Sequence, residues 1–162
     1  RLGPPATYGV PMYLILDKLG LTNTHIAIIL AHATFNLAII VWMMKSFFDD
    51  VPKEVEEAAY LDGCNPYRTF YRISLPLAFP GLVAASIFAL IFSWNELFFS
   101  LILTSGETRT LPVMIPSLAQ HTGTQWGQVA AASIIQSIPV LIFIFFMQRW
   151  LVRGLTFGAV KG

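Results

Sequence analysis

The sequence predicts an all-α fold: a polytopic membrane helix bundle with a surface helix-turn-helix between two of its spans. Three observations predict it. Hydrophobic residues make up 56% of the chain and charged residues 12%, with mean hydropathy +0.66, whereas a soluble domain usually carries roughly 25% charged residues. The charges are clustered, leaving uncharged stretches of 19, 22 and 19 residues at Ile26–Met44, Ile73–Trp94 and Val129–Met147. Between the first two lies a charged segment rich in helix start and stop signals.

Taken in order, Leu2–Leu16 is uncharged but holds Gly3, Pro4, Pro5, Gly9 and Pro11, and reads as the surviving part of a span over 2–16. It is not a secretory signal, because further apolar stretches follow instead of a soluble protein. The chain starts at Arg1 and not Met, so its N-terminal part is expected to be missing. A helix needs roughly 20 apolar residues to cross the hydrocarbon core, and the next spans fall at 26–44, 75–103 and 129–148. The third of these joins Ile73–Trp94 to the apolar Leu97–Leu103.

Polar residues in these spans are the first candidates for function. His25, His32 and Asn36 stand at i, i+7 and i+11 and share one helix face. Polar groups at membrane depth usually face a bundle interior or an aqueous path. Hydrogen bonds between helices are the favoured reading of His32 and Asn36, and a lining of a substrate path is the other. Metal ligation has no support from neighbouring Cys or carboxylate. Gly81, Ala85 and Ala89 form a small-residue ladder for close helix packing, and Pro80 and Pro139 are expected to kink or break spans. Asn95 and Glu96 are placed at the end of a span, as caps or as further path-lining candidates. The stretch 104–128 is long for a connection and is read as a loop.

The surface segment covers 45–74. Asp49-Asp50-Val51-Pro52 reads as a helix start, acids for capping and a proline for the first turn. Glu54, Glu56 and Glu57 then lie near the positive end of the helix dipole. The helix is expected to run to about Leu61, with Gly63 as its left-handed stop. Asn65-Pro66 repeats the start for a second short helix through Tyr67, Phe70 and Tyr71, and Leu75-Pro76 returns the chain to the membrane. The segment carries six acids against four bases. Anionic lipid would repel it, so a basic groove on a protein is a better match than a headgroup layer.

Orientation follows from Lys and Arg in short loops. Seven fall in 45–72 and in the tail after Met147, against only Lys18 and Arg109 in the alternate connections. The surface segment and the tail 149–162 are therefore expected to be cytoplasmic, in a multi-pass cell-membrane protein. The net charge of +1 and the absence of a basic stripe give no sign of nucleic acid binding. Cys64 is the only cysteine, so no disulfide forms within the chain. No G-x-x-x-x-G-K-[ST] phosphate loop is present, so the chain is not itself an ATPase.

Glu57-Ala58-Ala59, then Gly63, then Ile73-Ser74-Leu75-Pro76 stand at the spacing EAA-x3-G-x9-I-x-L-P. This resembles the coupling loop by which type I ATP-binding-cassette (ABC) importer permeases grip their ATPases. Two further runs are similar to the carbohydrate branch, in particular to the smaller subunit of maltose-type permease pairs. These are Trp94-Asn95-Glu96 and the ending Gln148-Arg149-Trp150-Leu151-Val152, Gly154-Leu155-Thr156, Val160-Lys161-Gly162. The likeness covers nearly the whole chain, and since such permeases have about six spans it implies the C-terminal four.

The resemblance implies that Glu57 pairs with a basic residue of an ABC ATPase, that Ala58 and Ala59 let helices approach, and that Gly63 permits the turn. Ile73, Leu75 and Pro76 complete the motif. It implies a tail reaching toward the ATPase dimer, although Phe157 and Ala159 stand where small residues are usual. It further implies a sister permease subunit, an extracytoplasmic solute-binding protein meeting 104–128, and no cofactor on this chain, ATP and Mg being held by the ATPase. The expected function is a permease subunit importing sugars or oligosaccharides. A permease of the same superfamily for another solute is the alternative. An intramembrane enzyme pairing Ser86 or Ser93 with His32 has no motif around those residues.

Overall fold

The uncharged stretches become long helices in the computed structural model, which describes residues 5–120 and 123–158. Helix α1, Pro5–Lys18, is closed by Gly20 at φ +66. There the Leu21 N–H bonds the Leu16 carbonyl and the Gly20 N–H the Asp17 carbonyl, both at 2.9 Å, the paired bonds of a Schellman end. Helix α2, His25–Asp49, starts under Thr24, whose Oγ1 accepts from the Ala27 N–H at 3.3 Å. It runs past the expected end at Met44 because Lys45 and Asp49 pair across one turn.

That pairing also changes the expected start of the surface helix. Asp49 belongs to α2, and Pro52 is the N-cap of α3, Lys53–Leu61, with no side-chain cap. The acids before Pro52 therefore do not cap α3. Helix α4, Pro66–Thr69, does not end the second arm either, because it flows through a π turn at Phe70–Ser74 into α5, Leu75–Leu77. Pro76 has no N–H for the Arg72 carbonyl, and a widened turn absorbs that loss.

Helix α6, Phe79–Trp94, is bent by 68° from Pro66–Leu77. Helix α7, Phe98–Leu103, follows only after a break at Asn95–Leu97. The expected span 75–103 is thus three helical pieces. The described residues of 104–128 are not a plain loop: they form a 3-10 turn at Gly106–Thr108, α8 at Leu111–Ser117, and a short antiparallel ladder of β1, Ala119–Gln120, with β2, Gly123–Thr124. Helix α9, Trp126–Gly158, contains Pro139 without ending there and takes in most of the expected tail. Ala159, Val160, Lys161 and Gly162 lie outside the described residues, as do Leu2, Gly3 and Pro4.

Among the described residues, α2 and Trp126–Gln148 are long and apolar enough to cross a membrane, and the bent pair makes a third if it is one span. Helix α1, at 14 residues, is shorter than a full crossing of roughly 20.

The chain divides into two compact units. The first, Arg1–Ala38 with Leu90–Phe143, is built on Leu16, Ala27, Ala31, Phe99 and Leu103. Ala27 and Ala31, one turn apart, are fully covered, small residues admitting the neighbouring chain closely. Phe35 and Tyr8 stack on Phe99, each with ring centroids 6.0 Å away. Asn23, at φ +59, ties the α1–α2 connection to the segment after α7: its N–H bonds the Leu103 carbonyl and its Oδ1 accepts from the Ser105 N–H. The second unit, Ile39–Ala89 with Ile144–Gly162, is built on Met44, Ala78 and Ala85, flanked by Phe47 and Phe48.

Candidate functional site

The surface segment lies wholly in the second unit, and its fold separates the motif residues by role. On α3, Glu57 and Ala58 face outward while Ala59, 4% exposed, is the inward residue. The helix ends at Gly63, exposed and at φ +79. The Cys64 N–H bonds the Ala59 carbonyl at 2.9 Å and the Gly63 N–H bonds the Tyr60 carbonyl at 3.0 Å. This is again a Schellman end, and its C′ position demands the left-handed backbone that glycine adopts freely. Asn65 then caps α4, its Oδ1 accepting from the Arg68 N–H at 2.8 Å. Ile73 and Leu75 are half-buried and Pro76 is exposed.

The motif therefore does not form one contact face. Glu57 and Ala58 are surface, Gly63 shapes the turn, Ala59 is buried, and Ile73 and Leu75 are half-buried. The outward surface is completed by residues outside the motif: Leu61 is 89% exposed, Tyr67 79% and Tyr71 66%. Large apolar and aromatic side chains left in the open on a segment that also carries exposed carboxylates make it a candidate binding surface. Phe70 stands behind them, 5.1 Å from the Tyr71 ring and 5.7 Å from Phe48.

The polar candidates of the spans fall in the first unit. Asn36, 6% exposed, donates from Nδ2 to Ser93 Oγ at 2.6 Å. His32 Nε2 lies 3.8 Å from Glu96 Oε2. Glu96 spans the break between α6 and α7: Oε1 accepts from the Phe99 N–H at 2.8 Å and Oε2 from the Ser100 N–H at 3.0 Å. The carboxylate thus satisfies N–H groups that the start of α7 leaves open. His32, Asn36 and Glu96 are brought together with Ser93 and Ser100. Asn95 is not, since it is exposed and its Nδ2 turns back to the Ile91 carbonyl at 2.9 Å. His25 is exposed at the start of α2.

Sequence reasoning named Ser93 only as a possible partner of His32 and missed its bond to Asn36; it also missed Ser100 and the bond from Ser74 Oγ to Glu56 Oε1 at 2.6 Å. It also missed the role of Trp94, whose Nε1 donates to the Gln136 carbonyl at 2.7 Å, tying α6 to α9 near Pro139. Serines inside apolar helices carry no periodic signal, and partners 18 or 42 residues away give none either. Ser86 donates to the Leu82 carbonyl of its own helix. Neither it nor Ser93 forms a nucleophile–base pair with His32 among the described residues. Those residues also contain no cluster of three metal-ligating side chains.

The surface segment thus stands on a chain with helices long and apolar enough to cross a membrane. The sequence profile of one family, described as "binding-protein-dependent transport system inner membrane component", matches residues 4–157. The chain belongs to this family. It is 40% identical over 99% of its length to a probable ABC transporter permease of Sinorhizobium fredii, covering 58% of that protein. It is 38% identical to a trehalose transport system permease of Mycobacterium tuberculosis, over 98% of the chain and 59% of the relative. A trehalose/maltose transport system permease of Thermococcus litoralis is 37% identical, over 93% and 55%. The chain thus spans between half and three-fifths of the length of these relatives. Family membership and the apolar helices make it a membrane protein.

Proposed function

We propose that this family member is the membrane-spanning permease subunit of an ATP-driven, binding-protein-dependent importer of sugars or oligosaccharides. The observation that carries the reading is the surface helix α3, with Glu57 and Ala58 exposed above a buried Ala59 and flanked by Tyr67 and Tyr71. An acidic, aromatic-rimmed helix of this kind fits a basic groove on an ABC ATPase subunit, which holds the ATP and Mg. Relatives named for trehalose and for trehalose/maltose support a carbohydrate as the solute. The excess of basic residues in 45–72 and after Met147 supports a cytoplasmic location for α3 and the C-terminal tail. On the other face, 104–128 meets an extracytoplasmic solute-binding protein. A sister permease completes the path, and His32, Asn36, Asn95 and Glu96 are this chain's candidates for lining it.

In operation, closure of the ATPase dimer on ATP displaces α3, and the displacement passes through the helix-turn-helix to the spans as a rigid-body motion. The test is purification of the full-length protein from native membranes in mild detergent. An ATPase and a second permease are expected to accompany it, and Glu57→Lys should lose the ATPase while the protein stays in the membrane. Undiminished co-purification and uptake in that variant would overturn the docking role of Glu57.

A further inference from the structure

Glu56 and Glu57 are neighbours in sequence and differ in what they touch. On a helix of 3.6 residues per turn, adjacent side chains point about 100° apart. Glu57 is exposed, while Glu56 is half-buried and its Oε1 accepts from the Ser74 hydroxyl at 2.6 Å. Ser74 is 5% exposed, on the opposite arm of the helix-turn-helix and 18 residues along the chain. The Ser74 carbonyl in turn accepts from the Ala78 N–H at 2.9 Å, at the residue where the chain bends by 68° into α6.

We infer that the Glu56–Ser74 bond is a latch that makes the two arms one lever, with Glu56 a positioning residue for coupling. The covalent route from α3 to α4 passes through Gly63 and Asn65, both exposed, and glycine gives that corner little stiffness. A load on Glu57 delivered through the corner alone would be dissipated there. The side-chain bond bypasses it. A carboxylate acceptor makes it stronger than a neutral pair, and its inner end is one helical turn from the bend that leads into α6.

The inference rests on the docking role of α3, so two measurements separate its failure from the failure of that reading. The first is hydrogen exchange on the purified full-length chain, which needs no partner. Glu56→Ala and Ser74→Ala should each raise exchange of the amides at 57–61 by about fivefold, the double variant no further, and Glu56→Gln should stay within about twofold of wild type because its amide oxygen still accepts. The second is uptake per ATP hydrolysed by the complete transporter in proteoliposomes. The two alanine variants should retain the ATPase yet lose about fivefold in that ratio, non-additively, with Glu56→Gln restoring it. Equal impairment by Gln and Ala would show that the charge matters and not the bond, and would overturn the latch. So would additive single effects, or a silent Ser74→Ala. An intact complex in Glu57→Lys with the exchange pattern as expected would instead remove the docking reading and leave the latch as a feature of the fold.

Discussion

Gly81→Ala is the substitution whose cost the structure fixes most closely. A Cβ at Gly81 would collide with the Phe47 ring and would stand 2.7 Å from the Phe47 Cβ, in the unit built on Met44, Ala78 and Ala85. The Phe47 Cβ is anchored to the α2 backbone, so rotating the ring gives no relief and the helices must part. Overpacking of this kind costs typically about 1–3 kcal/mol, against a gain of at most about 1 kcal/mol from replacing a helical glycine. With the full gain subtracted the net is a loss of up to about 2 kcal/mol, or up to roughly thirtyfold in the folded-to-unfolded ratio. Gly9 supplies the control. A Cβ there also meets an aromatic ring, but at its far end, Phe98 Cε1 and Cζ, with Ile102 Cδ1 at 3.3 Å. That ring can swing, so Gly9→Ala should cost less than half as much. The assay is reversible SDS unfolding in mixed micelles for both variants and for Gly81→Ala combined with Phe47→Ala. The combination should recover part of what its two single losses predict together. Equal costs at Gly9 and Gly81, or strict additivity with Phe47→Ala, would refute the collision argument.

Two smaller effects follow from the same coordinates. Gly63→Val should lose about 1–2 kcal/mol in the same unfolding assay, the cost of forcing a β-branched residue to φ +79, and Gly63→Asn much less. Asn36→Leu removes a buried side chain whose one hydrogen bond, to Ser93 Oγ, is 2.6 Å long. Such bonds in membranes average only about 0.6 kcal/mol, so stability should move by about 1 kcal/mol or less, and a loss beyond about 2 kcal/mol would show that Asn36 supports more than this pair.

The readable parts of this sequence were those where one residue type settles the local physics. Charge-free runs of spanning length became α2 and α9, because nothing in them competes with a helix. Gly63 and Asn65 ended and began helices where their backbone and side-chain preferences require it. The breaks at Ala78 and at Asn95–Leu97 were legible only in part: Pro80 and the pair Asn95-Glu96 mark their places, but the apolar residues from Ile73 to Trp94 and from Leu97 to Leu103 still read as one span. What breaks the helix at the second place is a distant arrangement. Glu96 accepts from the first free N–H groups of α7 and approaches His32, and Trp94 holds the preceding helix end to Gln136. A window of sequence holds both sides of the Glu96 cap but only one side of the contacts to His32 and Gln136.

The site divides along the same line. Residues that act through backbone geometry, Gly63 above all, announce themselves. Those that act by facing a particular way do not, and Glu54, Glu56 and Glu57 read alike as acids near the positive end of a helix. Their difference arises only when Ser74 arrives beneath the helix from the returning arm. Its arrival depends on the π turn at Phe70–Ser74, which rotates the residues before Pro76 relative to a regular helix. The proline at 76 thus helps decide, through the turn it widens, which of two adjacent carboxylates is held inside the segment and which is left exposed.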